Sequence, residues 1–90
     1  MKEINLTESH IQKMTHAIGF AVIRVRKGHY EAYRNRYVVS GPDEKWDYLV
    51  SVGYANKAFS SISKSIYYYV TRRGLDYLER ILGVRISVSE

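Results

Sequence analysis

Apolar side chains along this chain recur first at helical spacing, then at strand spacing, and then repeat that alternation twice more. Ile11, Met14, Ala17 and Ile18 share one helical face. Thr7 stands where it can cap free amides, Leu6 can pack on Ile11 as a hydrophobic staple, and Gly19 offers a left-handed stop. The spacing predicts a helix over residues 8–18, preceded by a loose N-terminal tail over 1–5.

Between residues 20 and 40 the pattern turns β-like. Val22, Ile23 and Val25 are β-branched, Lys27-Gly28 suits a turn, and Tyr37-Val38-Val39 follows as a second run. Two strands joined by a loop over residues 27–33 are the simplest expectation. Gly41-Pro42-Asp43 then breaks the chain, because Pro42 has no amide proton and Asp43 is a good cap. A second helix is predicted over 44–52, with Trp46, Leu49 and Val50 inward and Gly53 at its end. Residues 54–59 and 66–70 read as the arms of a hairpin closed by a polar segment. Strand alternation puts Tyr67 and Tyr69 on one face and Ile66, Tyr68 and Val70 on the other, of which only one need be core. Thr71 caps a third helix bearing Leu75, Leu78, Ile81 and Leu82 as far as Gly83. Val84, Ile86 and Val88 alternate with polar residues as a short closing strand. The expected fold class is α+β, with three helices and about five short antiparallel strands in a single domain over residues 1–90. Trp46, Leu49, Val50, Leu75, Leu78 and Ile81 are its expected core.

Composition narrows the functional classes. Of 90 residues, 46% are hydrophobic and 26% charged, as in ordinary globular proteins. Cysteine is absent, which removes disulfides, thiolate metal sites and thiol nucleophiles together, and favours a cytoplasmic location. The first residues are mixed in charge and contain no signal-peptide core, and no apolar run is long enough to span a bilayer, so no membrane association is expected. Fourteen Lys and Arg against nine Asp and Glu give a formal charge of +5, which attracts polyanions.

Charge and aromatic residues concentrate together. Arg24, Arg26, Lys27, Arg34 and Arg36 stand against one acid, Glu31, and are interleaved with His29, Tyr30, Tyr33 and Tyr37. Guanidinium groups bind phosphate in a bidentate way and tyrosines stack on unpaired bases. On strands, Arg24 with Arg26 and Arg34 with Arg36 would each project to one face. Lys64 in the hairpin tip, Lys57 in its first arm, and Arg72 with Arg73 at the start of the third helix suggest a second phosphate-contacting patch. Cations at a helix N-terminus oppose its dipole, a cost that hints at a role. The candidate nucleic-acid contacts are therefore Arg24, Arg26, Lys27, Tyr30, Tyr33, Arg34, Arg36, Lys64, Arg72 and Arg73. The same residues also suit the solvated outer face of a sheet, or a protein interface, where Tyr and Arg are enriched.

Catalytic and metal chemistry find no matching pattern. His10 and His16 are six residues apart, which puts them about 240° apart around a helix, whereas helical zinc ligands stand four apart. No nucleophile turn or phosphate-cradling glycine loop is present, and Asp43, Glu44 and Asp47 are accounted for as capping and dipole partners. No enzyme activity, cofactor or metal is expected.

The run from Trp46 to Gly53-Tyr54, leading into Tyr69-Val70-Thr71-Arg72-Arg73-Gly74 and Leu78, resembles the second half of winged-helix domains. This implies a helix, a hairpin wing and a Thr-capped last helix over residues 46–82. It lacks a clear helix-turn-helix, since residues 20–40 read as β. The order of His16-Ala17-Ile18-Gly19, Tyr33-Arg34-Asn35-Arg36-Tyr37, Trp46 and Val70-Thr71-x-x-Gly74 is similar to small uncharacterised bacteriophage and prophage proteins of Gram-positive bacteria. That resemblance implies a non-enzymatic accessory protein, either binding nucleic acid through its Arg and Tyr surface or docking as an adaptor on a host or virion protein.

Overall fold

A computed structural model describes residues 6–88. The tail expected at residues 1–5 lies outside them. The order of elements is α1 (Glu8–Ala17), a 3₁₀ turn (Val22–Arg24), β1 (His29–Ala32), β2 (Tyr37–Val39), α2 (Glu44–Ser51), β3 (Ala55–Ser60), β4 (Ser65–Val70), α3 (Arg72–Leu82) and β5 (Arg85–Val88). Three helices and five strands thus make a mixed α+β fold with two small sheets: an antiparallel sheet ordered β2–β4–β3, and a pair, β1 with β5, that runs parallel.

Each helix starts where a side chain takes up its free amides. Thr7 accepts from the His10 amide, and His10 Nδ1 accepts from the Thr7 amide at 3.1 Å, a capping box with histidine in place of the usual Glu or Gln. Asp43 Oδ1 accepts from the Trp46 amide at 3.0 Å to begin α2. Thr71 accepts from the Gly74 amide and donates to the Gly53 carbonyl at 2.7 Å, tying the start of α3 to the end of α2. Gly74 is required by close packing here, since a Cβ would collide with the Tyr54 carbonyl oxygen and come within 2.7 Å of Val70 Cγ1. The Thr-x-x-Gly sequence thus places α3 directly against the root of the hairpin.

One face of the antiparallel sheet carries the core. Tyr68 in β4 stacks on Trp46 of α2 with centroids 5.3 Å apart and planes 16° from parallel, and Tyr37 of β2 tilts against the same indole. Trp46, Tyr30, Tyr68, Met14, Ile18, Leu49 and Leu78 are fully buried. Of the expected core, Trp46, Leu49, Leu75 and Leu78 are buried and Val50 is partly so. Ile81 is a correction, being 50% exposed. It sits about 60° around the helix beyond Leu78, past the edge of the stripe that Leu75, Leu78 and Leu82 turn inward.

The first β region also departs from expectation. Val22, Ile23 and Val25 do not form a strand. Arg24 and Val25 donate to Ala21 and Val22 in a 3₁₀ turn, leaving Val22 and Ile23 78% and 86% exposed. The strand instead begins at His29, inside the expected loop. Lys27 and Gly28, with φ of 52° and 74°, make a two-residue turn closed by paired Arg26 and His29 backbone bonds. The Arg85 amide then donates to Gly28 at 2.8 Å and opens the parallel ladder. β-branched preference is weak where no neighbouring strand is available, and among the described residues β5 pairs with residues 29–32. Arg24 and Arg26 accordingly lie off the strands that were expected to align them.

Candidate nucleic-acid interface

The structure brings three of the ten sequence-selected residues into one cluster. Arg24 leaves the 3₁₀ turn and Arg34 follows the bend after β1, and both guanidinium carbons lie over the ring of Tyr33, at 5.1 and 5.4 Å from its centroid. Tyr33 remains 54% exposed. Its phenol end rests on Gly19, where a Cβ would come within 2.7 Å of the ring. Arg34 Nη2 also donates to the His16 carbonyl at 2.8 Å, at the negative end of the α1 dipole. Two cations are therefore braced on an aromatic face, an arrangement worth about 0.5–1 kcal/mol each at exposed sites.

Four more candidates stay exposed near this cluster or along the sheet. Lys27 occupies the two-residue turn and Arg26 flanks it, sharing an open recess with Ile23, Arg24, His29 and Glu31. Arg36 is exposed at the foot of β2, its amide donating to Ala17. Lys64 is exposed at the tip of the β3–β4 hairpin with φ of 54°. Among the described residues, none of Arg24, Arg26, Lys27, Arg34, Arg36, Lys64 or Arg73 is in a salt bridge.

Several assignments need correction. Tyr30 is fully buried, and its hydroxyl is held by the Ile18 and Gly19 carbonyls at 3.0 and 2.6 Å. Burial, with a smaller push from Tyr33, raises its pKa. It is a core residue and does not reach a base. Tyr33, by contrast, stays exposed with the Arg24 and Arg34 guanidinium groups over its ring. Arg72 is spent internally: it reaches Asp76 and Glu79 at 2.9 Å and the Ile86 carbonyl at 3.0 Å, binding α3 to β5. Its acidic partners at i+4 and i+7 were visible in the sequence. Arg73 lies against Gly53, away from Arg72's network. Lys57 pairs with Asp47 at 3.1 Å, so no second patch assembles around the hairpin and α3.

The face of the antiparallel sheet opposite the core went unselected in the sequence, although its alternation was legible. Val38, Tyr67 and Ala58 are register partners across the three strands, and Asn56 pairs with Tyr69. Arg36, Val38, Asn56, Ala58 and Tyr69 are exposed and Tyr67 is half-buried. Asn35 fixes how the chain enters this sheet. Its side-chain amide accepts from the Val70 N–H and donates to the Val70 carbonyl, both at 2.8 Å, as a strand backbone would.

No group of three or more His, Asp or Glu among the described residues could hold a metal ion, and no described helix is long and apolar enough to cross a membrane. No family model, curated protein or solved structure matches the chain. The winged-helix and phage resemblances therefore rest on the quoted residues alone.

Proposed function

We propose that this chain is a non-enzymatic nucleic-acid-binding module, of the kind phages use as accessory proteins, that holds a sugar-phosphate backbone on Arg24 and Arg34. The observation that carries this reading is the bracing of both guanidinium groups on Tyr33 with no carboxylate partner among the described residues. Arginines spent on structure look different in the same molecule, as Arg72 does with two acids and a carbonyl. Pre-positioned guanidinium donors lose less entropy on meeting phosphate than free side chains. Arg26, Lys27 and Arg36 add charge around them, and a cytoplasmic setting suits such a partner.

The test is binding of the protein to random labelled oligonucleotides at about 50 mM salt, where backbone contacts are strong. Arg24→Ala with Arg34→Ala should weaken duplex and single strand alike, by about tenfold or more for two lost charge-assisted contacts. Absence of binding to either form by the unaltered protein would overturn the reading.

A protein-docking adaptor is the second reading, favoured by a separate observation. Phe59 and Ile62 at the hairpin end are 66% and 95% exposed, and Val22 and Ile23 project beside Arg24. Apolar docking would tolerate high salt, whereas phosphate binding does not.

A further inference from the structure

The outer face of the β2–β4–β3 sheet is unusual in what it lacks. Solvated sheet faces ordinarily carry mixed charge. Among the described residues this one presents Tyr67, Tyr69, Val38 and Ala58, with Asn56 and Arg36 beside them and no carboxylate. The two tyrosines are neighbours on one strand and stand about 7 Å apart along it, so each ring can address a separate base. Cations mark both ends of the stripe, Arg36 beside Tyr69 and Lys64 at the hairpin tip, separated by about 17 Å of strand. The cluster of Arg24 and Arg34 adjoins the Arg36 end, because two residues of chain span at most about 7 Å.

We propose that this open sheet face is a stacking platform for single-stranded nucleic acid, with Tyr67 and Tyr69 each carrying an unpaired base and Arg36 and Lys64 holding the flanking backbone. The proposal rests on the nucleic-acid reading above and names the form of nucleic acid that reading takes. Every base offers a π-face, so the platform is tolerant of sequence, and a duplex hides its faces in the stack and gains nothing from it. Positive charge with no acid among the described residues of the face favours an anionic occupant, and a second copy of this basic chain, at a formal +5, would bring no complementary excess of anions.

The experiment compares labelled decathymidylate with a random 20-base-pair duplex, by fluorescence anisotropy, for the unaltered protein and two variants. Tyr67→Ala with Tyr69→Ala should weaken single-strand binding at least about fivefold for each ring lost and leave duplex affinity unchanged. Tyr67→Phe with Tyr69→Phe should retain single-strand affinity, since the π-face is kept. In the unaltered protein, ring protons of Tyr67 and Tyr69 should shift when decathymidylate is added. That NMR readout decides the matter if the alanine pair fails to fold, and unshifted rings overturn the proposal. Equal effects of the alanine pair on both forms, or none, remove the platform while duplex binding through Arg24 and Arg34 keeps the backbone reading standing. Failure of the unaltered protein to bind either form removes both. A dimer in sedimentation that the alanine pair dissociates would assign the face to a second copy and also defeat the proposal.

Discussion

The two faces of the antiparallel sheet are built from the same residue type and do opposite things with it. On the inner face Tyr68 is fully buried, stacks on Trp46 and donates to Asp47 at 2.8 Å, while Tyr37 packs on the same indole. On the outer face Tyr69 is 37% exposed, and the Tyr67 hydroxyl meets Ser63 at 3.3 Å. Three consecutive tyrosines thus divide between stability and surface through strand alternation alone, because α1 and α2 cover one side of the sheet. A tyrosine's number in the chain says little about its role; the element packed over it decides.

Removing the inner aromatic layer is the sharpest way to break this comparison. Trp46→Ala should cost about 3–5 kcal/mol, and Tyr69→Ala at most about 1 kcal/mol, the range of exposed strand preferences. Denaturant unfolding monitored by circular dichroism checks both. Comparable losses would mean that the outer face is packed too. The same contrast holds on α3. Leu78→Ala should cost about 2–4 kcal/mol through lost burial and a cavity, whereas Ile81→Ala, half exposed, should cost under about 1 kcal/mol. Asn35→Ala should cost about 1–3 kcal/mol, because it strips partners from the Val70 N–H and carbonyl where the chain joins the sheet. Deuterium exchange at the Val70 amide should accelerate in parallel.

The smallest effect is a pH dependence confined to the inner layer. Burial, Lys45 and Lys13 lower the His10 pKa from its ordinary 6.5, against an opposing pull from Asp43. His10 Nδ1 accepts the Thr7 amide, so protonation there breaks the capping box. With the folded value below the unfolded one, the unfolded state binds more protons in this window and stability rises with pH. The contribution is complete above about pH 6.5 and is lost as pH falls through the folded value. Unfolding between pH 5 and 7.5 should show this, and His10→Gln, which keeps an acceptor at the same position, should flatten it. A second loss belongs below the ordinary Asp43 value of 3.8. Burial works to raise that carboxyl, but the Trp46 amide and the Lys13 ammonium outweigh it and hold it lower.

Elements with local signals were legible in the sequence. Thr7, Asp43 and Thr71 marked the helix starts, Gly83 the last stop, and the alternation through Ile66 to Val70 the two faces of β4. What escaped depends on distant partners. β1 is a strand because β5 pairs with it from more than fifty residues away, while the Val22-Ile23-Arg24 run, despite its two β-branched residues, has no such neighbour among the described residues and curls into a 3₁₀ turn. The site followed the same rule. The basic segment was found, but Tyr30 turned inward and Tyr33 outward only because β1 exists and ends at Ala32. Arg72 was misassigned by weighing its charge against the helix dipole without its acidic neighbours Asp76 and Glu79.

The measurement that tests the account most directly is the salt dependence of single-strand binding for the unaltered protein, the Arg24→Ala and Arg34→Ala variant, and Tyr69→Ala. Each phosphate contact on a single strand contributes about 0.7 to the slope of log affinity against log salt. The arginine variant should therefore lose about 1.4 of that slope, whereas Tyr69→Ala should lower affinity at every salt concentration and leave the slope alone. An unaltered protein whose affinity does not change with salt would contradict the account.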